Sequence, residues 1–263
     1  MVSSRQEISP REVRMMAREG KWTNITSGVA NGYVQANLVV LPGEYAYDFL
    51  LFCLRNPKPC PLLDVTDRGV PRTRLAPDAD LRTDLPKYRI YENGKLAAEV
   101  TDISPYWTDS LVAFLIGCSH TFEAALQAAG IPLRHIQEGT VVPMYTTNIE
   151  CVPAGPFRGP MVVSMRPIPW HMVSRAVQIT SRYPSVHGAP VHIGDPSLIG
   201  VRLEHAEFGS RLVQVRPDEV PVFWACGVTP QAVAMAARVP FMITHAPGHM
   251  FVSDVPNEAL AVL

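Results

Sequence analysis

The sequence is poor in cysteine, in net charge and in long apolar runs. Its five cysteines, at positions 53, 60, 118, 151 and 226, are odd in number and include no Cys-x-x-Cys pair. In a chain of 263 residues, this pattern favours reduced thiols over a disulfide framework. The formal charge is -1, with acids and bases interspersed, so the sequence lacks the basic surface of a nucleic-acid-binding protein.

Membrane and nucleotide signals are missing as well. The longest apolar stretches, such as residues 111–116, are too short to cross a bilayer, and the first ten residues carry charges where a signal peptide has an apolar core. We therefore expect a cytoplasmic protein with no membrane partner. No Walker loop, dinucleotide fingerprint or Gly-x-Ser-x-Gly elbow supports a nucleotide-binding or α/β-hydrolase function.

What the chain does have is a globular composition, 47% hydrophobic, with 25 prolines spread along it as rigid corners. Ser9, Pro10 and Glu12 predict a helix N-terminus with a capping box, which Gly20 would end. Asn93-Gly94 between two alternating segments predicts a hairpin. Asp109 is predicted to cap a helix whose apolar face includes positions 111, 114, 115, 118, 122 and 126. We detect no internal repeat.

The order of elements predicts an α/β fold with a mixed, largely parallel sheet flanked by helices. The strand–helix–strand pattern over residues 220–244 is the basis for the parallel sheet. We expect a larger discontinuous α/β domain, residues 1–149 and 221–263, and a smaller α/β subdomain, residues 150–220. In the subdomain, residues 161–165, 190–193 and 212–215 are predicted strands.

Two segments are rich in reactive side chains, residues 117–148 and residues 244–250. Cys226-Gly227 and His245 each follow a predicted strand, where α/β sheets usually bind ligands. We therefore expect the fold to bring the two segments together. Such clustering of groups able to do acid–base chemistry is typical of a catalytic site.

Four residues are candidates for catalysis. Cys118 near a helix start suits a nucleophile, although it equally fits a buried helix face. Glu123 suits a general acid–base group, or a first-turn carboxylate that favours the helix dipole. His245 and His249 suit proton transfer, or hydrogen bonds to loop carbonyls. Pro247-Gly248 rules out a helical metal pair between them, so the metal ligands stay unknown and a divalent metal stays open as a cofactor.

Substrate binding has separate candidates. Arg166 and Arg55 suit a clamp for a substrate carboxylate, although each also suits a structural or surface role. Thr147 and Asn148 suit the stabilisation of an oxyanion. We expect a small-molecule carboxylic acid as the substrate and, as for most soluble enzymes, a homo-oligomer.

Eight longer strings give the chain a resemblance to a bacterial hydro-lyase family. They are GYVQANL (32–38), FCLRNPKPCP (52–61), ADLRTDLP (79–86), AFLIGCS (113–119), VPMY (142–145), PMVVSMRP (160–167), FWACGVTPQ (223–231) and THAPGHMF (244–251). This family shares its domain with mammalian mitochondrial D-glutamate cyclase, which interconverts D-glutamate and 5-oxo-D-proline with loss or gain of water.

The resemblance implies a carbon–oxygen lyase with a two-part α/β fold and, more specifically, that cyclisation. It assigns no catalytic residue, and His120 stands where many members carry Phe, which argues against an essential role for it. Two other functions stay open: a metal-assisted dehydratase of another small acid, and a non-catalytic small-molecule binding protein.

Overall fold

A computed structural model describes residues 8–209 and 214–262. Within these ranges the chain forms eleven strands and six α-helices. The strands are β1 (Tyr33–Pro42), β2 (Leu62–Val65), β3 (Tyr88–Glu92), β4 (Lys95–Val100), β5 (Leu111–Gly117), β6 (Met144–Glu150), β7 (Pro160–Pro169), β8 (His192–Ile193), β9 (Glu219–Ala225), β10 (Phe241–His245) and β11 (Phe251–Pro256). The helices are α1 (Pro10–Arg18), α2 (Gly43–Arg55), α3 (His120–Ala128), α4 (Arg134–Gln137), α5 (Val173–Ser181) and α6 (Val228–Ala236).

Helix α1 begins as its sequence predicts. The Ser9 hydroxyl accepts a hydrogen bond from the Glu12 N–H at 3.3 Å, and the Glu12 carboxylate accepts one from the Ser9 N–H at 2.8 Å. Pro10 occupies the first turn, where its missing N–H costs no hydrogen bond. Arg14 pairs with Asp254 at 2.8 Å and so fixes α1 to β11. None of the helices in the described ranges combines the length and apolar character that a bilayer crossing requires.

The larger sheet has the strand order β2-β5-β1-β10-β3-β4, and β11 pairs with the first part of β1. Its centre is apolar on both faces. One face packs against α2, where the rings of Phe49 and Phe114 meet with centroids 4.8 Å apart. The other face packs against the connection that contains Leu81 and Leu85. The predicted hairpin at Asn93-Gly94 is confirmed as β3 and β4.

The smaller sheet has the order β6-β7-β9-β8. Helices α3 and α5 cover one face, around Phe122 and Trp224. The opposite face buries Tyr145, Met165 and Phe223. The second sheet therefore has its own two-sided core.

The α/β class is confirmed, but the expectation of a largely parallel sheet is wrong. Every strand pair recorded in residues 8–209 and 214–262 is antiparallel. The strand–helix–strand segment misleads because β9 and β10 lie in different sheets, and α6 connects the two sheets. The predicted division into two domains stays a prediction; the smaller sheet takes strands from both sides of residue 150.

The helix predicted from Asp109 is also wrong over its first half. Residues 111–117 form β5, a strand buried along its whole length, and the helix begins only at His120. A continuous apolar run fits a buried strand and a buried helix equally, so periodicity cannot separate them. The strand predicted at residues 212–215 begins outside the described residues.

The two sheets share a repeated unit that sequence comparison within the chain does not reveal. Strands β1 and β7 both have 10 residues and end in a proline directly followed by a helical turn. Their partners β5 and β9 both have 7 residues, and each leads into a helix of 9 residues, α3 or α6. The registers agree, since Pro42 pairs with Leu111 and Pro169 with Glu219.

When the two units are aligned by these registers, the turn from β5 into α3 corresponds to the turn from β9 into α6. The backbone N–H of Gln35 donates to the Thr121 hydroxyl at 3.1 Å, and that of Val162 donates to the Thr229 hydroxyl at 3.0 Å. The same match aligns Cys118 with Cys226. Each helix then packs on the other unit's sheet: α3 joins the core of α5, and α6 joins the core of α2.

Candidate active site

A buried charged cluster lies where α3 crosses β7. Glu123, in the first turn of α3, accepts hydrogen bonds through Oε1 from Arg166 Nε at 3.1 Å and from Arg166 Nη2. The same oxygen lies 2.9 Å from Nε2 of His135, on α4. All three side chains are at most 3% exposed, so the ion pair is withdrawn from solvent.

Arg166 bonds protein groups through all three of its guanidinium nitrogens. Besides Glu123, it donates to Ser119 Oγ at 2.9 Å and to Ser164 Oγ at 3.1 Å. Its guanidinium carbon lies 5.6 Å from the ring centroid of Phe122 and 5.5 Å from that of Trp224. Because strand side chains alternate, Ser164 and Arg166 share one face of β7 and reach α3 together.

The second carboxylate oxygen of Glu123 is bonded differently. Burial alone raises the pKa of Glu123, but the charges of His135 and Arg166 outweigh it and hold that pKa below its ordinary value. The carboxylate is therefore ionised at neutral pH. Within the described residues, Oε2 has one hydrogen-bond contact, the Ser27 hydroxyl at 3.5 Å. Glu123 thus keeps one oxygen able to accept a further hydrogen bond.

His120 opens α3 beside this cluster and is the partly exposed histidine there. Its Nδ1 lies 3.4 Å from Gln35 Oε1. Burial among its neighbours lowers the pKa of His120 to about 4, so the ring is neutral at pH 7. The sequence analysis argued against an essential role for His120, yet its ring is close enough to affect the pKa of both Glu123 and His245.

His245, at the end of β10, is 1% exposed. Its Nδ1 accepts the Leu38 N–H at 3.1 Å and lies 2.8 Å from the side-chain nitrogen of Gln231. Burial lowers the pKa of His245 to about 3, and the nearby charges of His249, His120 and Arg89 act in the same direction. His245 is therefore a neutral imidazole near neutral pH.

His249 follows on a turn, as Pro247-Gly248 predicts, and not on a helix. Its Nδ1 lies 2.8 Å from the Pro247 carbonyl and its Nε2 lies 3.1 Å from the Thr23 carbonyl. Burial lowers the pKa of His249. The ring also lines a cavity of about 340 Å³, so of the two histidines His249 is the one that a ligand can reach.

Cys118 and Cys226 occupy equivalent turns at the start of α3 and α6. Each sulfur accepts a backbone N–H two residues later, from His120 and Val228 respectively. Burial raises the pKa of Cys226 to about 11 and that of Cys118 further still. Both thiols therefore stay protonated at neutral pH. The predicted nucleophilic role of Cys118 stays a prediction, and the geometry favours helix capping.

The remaining candidates lie apart from these clusters. Arg55 is exposed and donates to the Pro153 carbonyl. The Thr147 hydroxyl donates to the Met161 carbonyl at 2.8 Å, and Asn148 is exposed beside Gly200. The structure brings none of the three into hydrogen-bond contact with Glu123, His245 or His249. Their predicted substrate-binding roles stay predictions, as does that of Arg166, whose bonds are described above.

Comparison with known proteins identifies the chain. The family model described as "D-glutamate cyclase" matches residues 112–254, over half of the sequence. The chain belongs to the D-glutamate cyclase family. The matched segment contains Glu123, His135 and Arg166 as well as His245 and His249, so both clusters lie within the family's domain.

Full-length relatives agree with this assignment. A protein of Stutzerimonas stutzeri named "Putative hydro-lyase" is 62% identical over 98% of this chain and 98% of its own length. Relatives with hydro-lyase names in Thermoanaerobacter sp. (63% identical, covering 97% of both chains) and Bacillus subtilis (60% identical, covering 97% of this chain and 100% of the relative) are similar. This member of the family is thus an enzyme of the hydro-lyase class.

Among solved structures, a nitrogen repressor-like protein of Methanococcus jannaschii aligns with 93% of this chain and 98% of its own, at 10% identity and a TM-score of 0.39. That similarity is too low for a functional comparison. Within the described residues, no three His, Cys, Asp or Glu side chains gather in a way that would hold a metal ion.

Several site residues escaped the sequence prediction. Ser119, His135 and Ser164 complete the charged cluster, and Gln231 contacts His245. One signal was present: Ser164 lies on the strand predicted at residues 161–165 and Arg166 follows that strand directly, so continued alternation puts both on one face. No local pattern pairs His135 with Glu123, because α3 and α4 are separated by a loop whose course depends on the rest of the fold.

Proposed function

We propose that this lyase interconverts D-glutamate and 5-oxo-D-proline with release or uptake of water. The observation that carries the proposal is the match of the D-glutamate cyclase family model to residues 112–254. A second support is that the matched segment holds ionised and neutral acid–base groups side by side, as this chemistry requires.

The reaction needs no external reactant. The amine nitrogen of glutamate forms a bond to its own γ-carboxyl carbon, and one carbon–oxygen bond of that carboxyl group breaks. Two protons of the ammonium group leave with this oxygen as water, and the lactam keeps the third. The enzyme must therefore take a proton from nitrogen, deliver protons to oxygen and hold the chain in a cyclised geometry.

We assign proton transfer to His249, which lines the cavity, and a supporting role to the buried His245. The lowered pKa of His249 keeps the ring neutral at pH 7. Both ring nitrogens face carbonyl oxygens, so a proton taken up by the ring would be held by the Pro247 or the Thr23 carbonyl. His245 is neutral and buried beside it, so it adds no positive charge that would repel an ammonium group. Glu123 stays a candidate for the partner role because its Oε2 can accept a hydrogen bond.

Proton NMR tests the proposal directly. The purified protein is incubated with D-glutamate, L-glutamate and each 5-oxoproline enantiomer, with and without divalent metal. We expect interconversion in the D series alone. His249→Gln should lower the rate by about 100-fold or more, the usual range for loss of a general acid–base group. His171→Gln, at an exposed histidine, is the matched control.

Other results would redirect the assignment. Turnover that appears only with added metal would favour a metal-assisted dehydratase. A ligand that raises the melting temperature without being converted would favour a binding protein. Equal activity of His249→Gln and His171→Gln would remove His249 from the mechanism.

A further inference from the structure

The cavity beside His249 carries charges of both signs. It lies between the β3–β4 hairpin, which contributes Arg89 and Glu99, and the turn of Ala246 and Pro247. Glu207 lines the cavity as well. Its volume of about 340 Å³ falls within the range of about 300–1,000 Å³ that is usual for small-ligand sites.

Arg89 has donors to spare. Its Nε donates to Glu99 Oε2 at 2.9 Å, and its Nη2 lies 2.9 Å from the same oxygen. Lys87 Nζ lies 3.8 Å from the other oxygen of Glu99. No described residue bonds Nη1 of Arg89, and its side chain is 29% exposed. The guanidinium can therefore take a carboxylate from solution while it stays anchored to Glu99.

Glu207 offers the opposite charge. One carboxylate oxygen, Oε2, accepts the backbone N–H of Thr146, which fixes the side chain. No described residue bonds the other oxygen, Oε1. A fixed carboxylate with a free oxygen suits an ammonium group. The lining of the cavity thus offers a guanidinium paired with Glu99, the Glu207 carboxylate and the His249 imidazole.

This arrangement matches a free α-amino acid, whose carboxylate and ammonium are held on one carbon atom. We propose that the cavity is the amino-acid site of the enzyme, with Arg89 binding the α-carboxylate and Glu207 the ammonium. The proposal rests on the proposed function for the identity of the substrate. It also gives the α-carboxylate a solvent-accessible arginine, whereas Arg166 is 1% exposed and bonds protein groups through each of its three guanidinium nitrogens.

The neighbouring residues support this location. Arg89 lies opposite Thr244 in the β3–β10 pairing, next to His245 in the chain. His249 reaches the cavity directly. An amino acid bound through Arg89 and Glu207 would therefore lie in the cavity that the His249 ring lines, where a proton must leave the nitrogen before cyclisation.

Arg89→Gln tests the proposal, with Arg82→Gln as the matched control. Arg82 forms a similar half-exposed pair with Asp80, with side-chain exposures of 37% and 29% against 29% and 37% for Arg89 and Glu99. We expect the KM for D-glutamate to rise about tenfold or more in Arg89→Gln, with a smaller change in kcat, and to stay unchanged in Arg82→Gln. Arg89→Lys should recover part of the loss.

A substrate analogue identifies the group that Arg89 binds. D-isoglutamine has a neutral amide in place of the α-carboxylate. The wild-type enzyme should bind it about tenfold more weakly than D-glutamate, and Arg89→Gln should bind the two equally. Equal discrimination by Arg89→Gln and Arg82→Gln would overturn the assignment.

Direct binding separates this site from the cyclase chemistry. Isothermal titration with D-glutamate needs no turnover. Binding by the wild type and Arg82→Gln but not by Arg89→Gln would uphold the site even if no cyclisation occurs. Turnover of D-glutamate with an unchanged KM in Arg89→Gln would overturn the site and leave the cyclase proposal standing. Absence of D-glutamate binding by the wild type would overturn the site.

Discussion

Gln231 occupies, in the second strand–helix unit, the position that Glu123 occupies in the first. Each follows a helix-capping cysteine by one turn and reaches a residue of the other sheet. Glu123 bonds Arg166 on β7, whereas Gln231 contacts His245 on β10. The Glu123 carboxylate faces a guanidinium and the Gln231 amide faces a neutral imidazole. Each helix side chain therefore matches the charge of its partner, and Glu123 and Gln231 could not replace one another.

Glu123→Gln should destabilise the protein strongly. The substitution keeps the shape of the side chain but leaves the Arg166 charge buried without its anion. Breaking a buried ion pair from one side usually costs about 3–5 kcal/mol. We expect a loss of this size in the free energy of unfolding, measured by chemical denaturation at pH 7.

A double variant serves as its control. Glu123→Gln combined with Arg166→Met removes both charges and should be more stable than Glu123→Gln alone, because no unpaired charge stays buried. A loss below about 1 kcal/mol for Glu123→Gln would show that solvent or another group neutralises Arg166.

Gly227→Ala should disturb the contact between the start of α6 and β1 by steric overlap. A Cβ atom at Gly227 would lie 2.0 Å from Asn37 Nδ2, and that amide is held by its hydrogen bond to the Gly117 carbonyl at 2.9 Å. Gly227 has a helical backbone, so crowding alone is at issue. We expect a loss of about 1–3 kcal/mol in unfolding free energy.

The equivalent contact in the first unit, between the start of α3 and β7, suggests a compensating change. Ser119 and Ser164 stand there in the positions of Gly227 and Asn37, and both bond Arg166 without a clash. Asn37→Ser should therefore restore much of the stability that Gly227→Ala loses, as a double-mutant cycle would show. Simple additivity of the two losses would contradict the proposed overlap.

Local signals predicted much of the fold from the sequence. The capping box of Ser9 and Glu12 and the Asn93-Gly94 turn depend on neighbours in the chain, and both were predicted correctly. The direction of β10 depends on which sheet it joins, which is decided by contacts with β1 and β3 distant in sequence. The same limit applies to the site. Glu123 and His245 stand out by residue type, but they meet Arg166 and Gln231 only because α3 packs on the smaller sheet and α6 packs on the larger one.

Cys118→Ser should leave kcat/KM within about threefold of the wild-type value. The raised pKa of Cys118 leaves almost no thiolate at pH 7, and a serine hydroxyl can accept the same His120 N–H. Steady-state kinetics provides the measurement, with the substrate that the wild-type enzyme is found to convert. A loss of about 1,000-fold, with a stable fold, would instead identify Cys118 as a nucleophile.

His187 should make the protein less stable as the pH falls. The ring is 1% exposed, its Nδ1 donates to the Lys58 carbonyl at 2.9 Å, and its Nε2 has no partner within the described residues. Burial lowers the pKa of His187 from 6.5 to about 4, and the charge of Lys58 acts in the same direction. Between these two values the unfolded chain binds more protons than the folded one, so stability rises with pH.

The contribution of His187 is thus complete above pH 6.5 and is lost as the pH falls through about 4. Its size is about 3 kcal/mol at one pKa unit per 1.36 kcal/mol. His187→Asn keeps a donor for the Lys58 carbonyl and suits the positive φ of 85°, but it does not titrate. Unfolding free energies measured from pH 4 to 7 should fall less steeply in this variant than in the wild type and in the exposed-site control His171→Asn. Three parallel curves would show that His187 keeps its ordinary pKa in the folded protein.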